Sequence, residues 1–299
     1  MNFVQKNKLS FFVAKVLQRI PHIDRVGELY NQRRHKKIER ELSVLFDKVS
    51  KETGSDWKSL SISGNTDSKI WFFWWQGVEE MPALVQKCYQ SILKNKGSRE
   101  VHVITKDNYQ EYTDLSDGEL NKLSSGQITL THFSDLLRFN LLKNHGGLWL
   151  DATMYITSLL DYIEKDKLYT NSGYDKNRMF NVAGGRWTGF MIGGPKGNVI
   201  FRFMDNFFKE YWDNYDEIID YFLIDYGLNY VYEKNIGGFK EVSTKYNGIN
   251  PDMFKLQPLL NEAFKEDIWE GLSRNNKAFK LSNRKKVKTT EKGTFYSKL

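Results

Sequence analysis

The stretch Lys69-Ile70-Trp71-Phe72-Phe73-Trp74-Trp75 is an almost unbroken apolar run, too short for a helix and dominated by aromatic residues. Such a run predicts a strand covered on both faces, because a half-exposed strand alternates with polar residues. Gln76-Gly77 ends it. Pro82 suits a first helical turn, where its missing N–H is not needed. Leu84, Val85, Cys88, Tyr89, Ile92 and Leu93 then repeat at helical spacing, and Gly97 closes that helix. Glu100–Thr105 alternates around Val101 and Val103 and reads as a second strand. Strand, helix and strand within about 35 residues make a βαβ unit, which implies parallel pairing. The expectation is an α/β protein with a mixed, mainly parallel sheet.

Downstream, Leu130, Phe133, Leu137 and Leu141 share one face of a helix running roughly from Thr131 to Lys143, stopped by Gly146-Gly147. Leu148-Trp149-Leu150 is a short buried strand with Asp151 at its carboxyl end, and Met154–Ile156 continues as another. Trp187–Gly193 reads as a strand, Ile200–Tyr211 as a strong helix, and Glu217 to about Tyr226 as a further helix carrying Asp225. Ligands of open α/β sheets bind in the crevice outside the strands' carboxyl ends. A carboxylate at residue 151 can therefore hold a divalent cation or a ribose hydroxyl. Asp135 and Arg138, three apart, lie on one helical face. The plainer readings are a helical ion pair, worth roughly a few tenths of a kcal/mol, and a turn-forming Asp151.

Residues 1–66 form a separate helical, basic segment ahead of a domain spanning 67–299, with turn chemistry at Gly64–Ser68 as the boundary. Leu9, Phe12, Val13, Val16 and Ile20 repeat at helical spacing up to Pro21, and Ile38, Leu42, Leu45, Phe46 and Val49 form a second pattern. The segment is either a docking unit for a membrane surface or a hairpin packed on the main domain with a solvated basic face. The net charge of +7 is concentrated at the ends of the chain, in residues 1–60 and 271–299, around an acidic centre. That suits phosphates or an anionic membrane. No zinc finger, RNA-binding signature or basic-aromatic repeat supports nucleic acid. One cysteine, Cys88, excludes an intrachain disulfide and a thiolate cluster. No run is long enough to span a membrane and no signal peptide is evident, so the expected location is cytoplasmic, peripheral on the inner membrane face at most.

The stretch Phe133-Ser134-Asp135-Leu136-Leu137-Arg138, with Asn144-His145-Gly146-Gly147-Leu148-Trp149-Leu150-Asp151-Ala152-Thr153, resembles the core signature of a retaining glycosyltransferase family. That family contains capsular polysaccharide synthesis proteins and resembles glucosylating clostridial toxins and yeast mannosyltransferases. The resemblance runs from about Lys69 to the C-terminus. It implies a GT-A, Rossmann-like nucleotide-sugar-binding domain, with Asp135 and Arg138 contacting the donor sugar and Asp151 as first Asp of a DxD-like motif. Thr153 stands where the family's second Asp ligates Mn²⁺ or Mg²⁺, and a hydroxyl is a weaker ligand for a hard cation. Asn283 or Ser282 is the candidate for a further ligand.

A leaving diphosphate also needs positive charge, from a metal or from Lys and Arg. Lys285 and Lys286, in the basic run Arg284–Lys288, are candidates, against a solvated tail. Trp75 and Gln76 are placed to meet the uracil or ribose, Trp187 to line the sugar or acceptor pocket, and Asp225 to orient the acceptor hydroxyl or the reacting sugar, with core packing or a wet helix face as the plain alternatives. The expected reaction moves a hexose, galactose or glucose, from a UDP-sugar to a lipid-linked oligosaccharide with retention. The rivals are a sugar-phosphate transferase and a non-catalytic carbohydrate-binding assembly protein.

Overall fold

The computed structural model describes residues 3–17, 20, 22–54, 69–174 and 181–299; Pro21 and the Gly64–Ser68 turn fall outside them. Two helices, α1 (Phe3–Leu17) and α2 (Asp24–Thr53), precede the aromatic run, which forms β1 (Lys69–Phe73). Then come α3 (Ala83–Asn95), β2 (Glu100–Ile104), the short α4 (Tyr109–Tyr112) and α5 (Asp117–Ser124), and α6 (Leu130–His145). Strands β3 (Gly147–Leu150), β4 (Met154–Ile156), β5 (Tyr169–Thr170) and β6 (Met191–Gly194) follow. The chain continues through α7 (Val199–Asn214), α8 (Leu223–Glu233), α9 (Phe239–Lys245), α10 (Glu266–Asn275), β7 (Ala278–Lys280) and α11 (Phe295–Lys298).

The five-stranded sheet has the order β2-β1-β3-β6-β5. β1 lies parallel to both β2 and β3, whereas β6 is antiparallel to β3 and to β5. The sheet is therefore mixed, but not mainly parallel. Parallel return needs a long crossover, and among the described residues no α-helix lies between β3 and β6. A second, two-stranded sheet pairs β4 with β7 antiparallel. Gly147 lets β3 close on β1: its φ is +100°, and a Cβ there would stand 2.5 Å from the Lys69 carbonyl oxygen.

Side chains alternate across the central strands. Trp71, Phe73 and Trp149 face a core shared with α2, α6, α7 and α8. Ile70, Phe72, Leu148 and Leu150 face a second core with α3 and β4. Helix α2 belongs to the first core: Ile38, Leu42, Leu45, Phe46 and Val49 are all buried, and Phe46 stacks on Phe207 and Tyr230 at ring distances of 5.1 and 4.8 Å. Arg34, in the basic run, is not solvated but buried against Asp220. On α1 the expected apolar face points outward instead. Leu9, Phe12 and Val16 are exposed, and Val4, Asn7 and Ala14 are the buried residues.

Two element boundaries differ from expectation. Trp187–Phe190 is not strand, and only Met191–Gly194 pairs. Thr188 donates its N–H to the Thr170 hydroxyl and its own hydroxyl to the Met191 carbonyl, so side chains replace the ladder there. The Glu217–Tyr226 helix begins only at Leu223, because the Asp220 carboxylate accepts the Phe222 N–H and forms a turn. The C-terminal region, without visible periodicity, holds α10, β7 and α11.

Candidate functional site

Parallel strands β1 and β3 end at the same edge of the sheet, and a cleft of about 730 Å³ opens there. β1 delivers Trp74, Trp75 and Gln76 to its wall, and β3 delivers Asp151. The first turns of α6 contribute Leu130, Thr131 and Ser134. The segment that follows β7 supplies Ser282, Asn283, Arg284 and Lys285, and β7 itself supplies Lys280. Sheet termini and a helix N-terminus thus meet a strongly cationic segment, a combination that favours an anionic ligand.

Asp151 is the hub. Its Oδ1 accepts from Arg138 Nη2 at 3.0 Å and from Trp149 Nε1 at 2.8 Å, and its Oδ2 accepts from Lys280 Nζ at 2.8 Å. Lys280 Nζ also donates to Thr153 Oγ1 at 2.8 Å. Burial pushes the Asp151 carboxyl up, but the Lys280 and Arg138 charges and the donated hydrogen bonds outweigh it and hold it below its ordinary value. It is a carboxylate at neutral pH, and 26% of its side chain remains exposed in the cleft.

Behind it lies a buried acidic layer. Arg138 Nη1 pairs with Asp135 Oδ1 at 3.1 Å, and the guanidinium sits over the Trp149 ring at 5.1 Å. Burial, only partly offset by Arg138, pushes the Asp135 carboxyl up to about 7. Asp225, in the first turn of α8, accepts Trp187 Nε1 at 2.9 Å and is pushed up to about 6, again chiefly by burial. Gly189 makes room for this layer: a Cβ there would lie 2.9 Å from Arg138 Nη1 and 2.6 Å from Ile224 Cδ1.

Of the residues singled out in the sequence, Trp75, Gln76, Asp151, Thr153, Ser282, Asn283 and Lys285 line the cleft. Asp135 and Arg138 do not line it; Arg138 reaches it through Asp151. Asp225 is half-buried outside the cleft lining, within electrostatic reach of Arg138 and Asp135. Trp187 is fully buried and packs on Tyr232 and Phe239, so it lines no sugar pocket. Lys286 is exposed outside the cleft lining. Lys280 is the residue the sequence left unmarked. Its only local signal is the short alternation Ala278-Phe279-Lys280-Leu281.

As arranged, these residues do not fit a divalent cation. Both oxygens of Asp151 are engaged by donors, an ammonium lies between that carboxylate and the Thr153 hydroxyl, and Thr153 is neutral. Among the described residues, no group of three or more His, Cys, Asp or Glu side chains is placed to hold a metal ion. Hard divalent cations need several oxygen ligands, usually more than one of them charged.

Two fungal relatives share part of the chain. The glycosyltransferase afumC of Aspergillus fumigatus is 26% identical over 164 residues, 50% of this chain and 42% of the relative. The O-glycosyltransferase braB of Annulohypoxylon truncatum is 24% identical over 181 residues, 56% of this chain and 43% of the relative. The matches thus span less than half the length of these curated relatives. Residues 20–299 match the family described as capsular polysaccharide synthesis protein, a span that takes in α2 as well as the sheet and the cleft. The chain belongs to the capsular polysaccharide synthesis protein family.

Proposed function

We propose that the protein is a retaining glycosyltransferase of GT-A type, moving a hexose from a UDP-sugar to an acceptor hydroxyl in the building of surface polysaccharide. The observation that carries this reading is the Asp151 carboxylate, half-buried at the carboxyl end of β3 and fixed by Arg138 and Lys280 in a cleft that Trp74 and Trp75 also line. The family match and the names of the two fungal relatives support it.

In this reading the aromatic wall and Gln76 receive the base and ribose, and Lys280, Arg284 and Lys285 face the diphosphate. The Asp135–Arg138 pair fixes the hub behind the sugar, and Asp225, anchored by Trp187, lies in the same layer. The bond between the anomeric carbon and the diphosphate oxygen breaks, and that oxygen keeps the electron pair. The acceptor oxygen bonds to the same face of the sugar and passes its proton to the departing diphosphate. Cations held in place before the reaction stabilise the charge that develops on the leaving oxygen.

The acceptor in this reading is lipid-linked. Leu9, Phe12 and Val16 form an exposed apolar stripe on α1, flanked by the exposed Lys6 and Lys15, and Val26 and Leu29 of α2 are exposed as well. Apolar residues rimmed by lysines suit the surface of an anionic bilayer. Among the described residues no helix is long and apolar enough to cross a membrane.

The test is a panel of UDP-sugars offered to the purified protein, with acceptor, and scored for the nucleotide released. UDP release from one sugar supports the reading. UMP release assigns phosphosugar transfer instead, and no release from any member removes the enzymatic reading.

A further inference from the structure

Where a leaving diphosphate meets an enzyme, positive charge comes from a divalent cation or from fixed Lys and Arg side chains. In this cleft, the space between the Asp151 carboxylate and the Thr153 hydroxyl is taken by one group. Lys280 Nζ stands 2.8 Å from Asp151 Oδ2 and 2.8 Å from Thr153 Oγ1. Those are the two oxygens that would otherwise chelate a metal.

The other Asp151 oxygen is already bound by Arg138 and Trp149. A metal ion entering would meet two fixed cations at hydrogen-bonding distance from the carboxylate it needs. Lys280 is held rigidly: β7 pairs with β4, setting Lys280 opposite Met154, the residue after Thr153. The Lys280 N–H donates to the Met253 carbonyl, and the Leu281 N–H donates to the Thr153 carbonyl. An ammonium has three N–H donors, and two of them are committed to Asp151 and Thr153. Its side chain still reaches the cleft, with 19% exposed, beside Arg284 and Lys285.

We propose that the Lys280 ammonium takes the part of the divalent cation in this site, so that diphosphate binding and sugar transfer need no metal. This rests on the transfer reading above. Asp151 and Thr153 then act as the cradle that aims the ammonium, and its third N–H meets the diphosphate. As the carbon–oxygen bond breaks, the electron pair goes to the diphosphate oxygen, and Lys280 with Arg284 and Lys285 offsets the added charge. The acceptor's proton leaves on the diphosphate.

The experiment measures UDP binding by calorimetry with the full-length protein, first with excess EDTA and then with millimolar Mn²⁺. The wild type should bind UDP in EDTA, and Mn²⁺ should change its affinity by less than about threefold. Lys280→Ala should weaken binding at least about tenfold, and Lys280→Arg, which keeps the charge, should recover most of it. Melting curves of both variants check that they fold, and the wild-type comparison needs no variant at all. Wild-type binding that vanishes in EDTA and returns with Mn²⁺ overturns the proposal while leaving the transfer reading intact. A folded Lys280→Ala that binds UDP as the wild type does also overturns it. No UDP binding under any condition sinks the UDP-sugar reading, and this proposal with it.

Discussion

Arg34 on α2 and Asp220, just before α8, form an ion pair buried from solvent on both sides, although 186 residues separate them. It fastens the N-terminal helices to the body that carries the cleft. Removing Arg34 leaves the Asp220 carboxylate buried without its counter-charge, with the Phe222 N–H still donating to it. Arg34→Ala should therefore cost about 3–5 kcal/mol, read from urea unfolding. A loss below about 1 kcal/mol would show that the pair is not buried in solution.

Asp151→Asn keeps the shape of the hub but removes the charge that holds Arg138 and Lys280. UDP release should fall by about a hundredfold or more, with folding retained. Near-normal turnover in a folded variant would end the assignment of residue 151 to the reaction.

Gly189→Ala tests the layer beneath. Its methyl group would crowd Arg138 Nη1 and Ile224 Cδ1. Overpacking of this kind costs about 1–3 kcal/mol, and the displaced guanidinium should lower turnover beyond what the melting shift accounts for. Activity that simply tracks stability would place the pressure on Ile224 instead.

The pH dependence follows from two acids, the buried Asp135 and the half-buried Asp225. Asp135 and Asp225 hold their protons up to about pH 7 and about pH 6, against an ordinary value of 3.8. Between pH 4 and those values the folded chain keeps protons that the unfolded chain has released. Their contribution to stability is therefore complete below about pH 4 and is lost as the pH rises toward 7. Asp225→Asn, which still offers an oxygen to Trp187, should flatten the melting temperature between pH 4 and 6 relative to wild type. An unchanged slope would mean that Asp225 is charged in the fold.

Replacing the outward apolar residues of α1, as in Leu9→Asp with Phe12→Asp, should abolish flotation with anionic liposomes and leave the melting temperature within a few degrees. Equal flotation of variant and wild type would place any membrane contact elsewhere.

Strands β1 and β3 and the place of Asp151 after β3 were legible in the sequence for the same reason. Ile70–Phe73 and Leu148–Leu150 are apolar on both faces, which only a covered strand tolerates. A carboxylate directly after such a strand stands at the ligand edge by geometry alone. The antiparallel return of β6 was not legible, because a four-residue strand with two glycines carries no direction in its pattern. Lys280 was hidden for a different reason. Its strand has three residues, and its partners Asp151 and Thr153 lie 129 and 127 positions earlier. The spacing on α1 indicated a helix, but periodicity gives only a face and not what covers it. Leu9 and Phe12 face outward because Val4, Asn7 and Ala14 take the packed side.

The distance in sequence between Asp151 and Lys280 also sets an order of events at the ribosome. When residue 151 emerges, Arg138 and Trp149 are already outside the exit tunnel, but the second cation is still to be translated. A growing chain therefore holds Asp151 by Arg138 and Trp149 alone until β7 arrives and pairs with β4. A chain that stops before β7 keeps the carboxylate of the cleft but lacks the ammonium that Asp151 shares with Thr153.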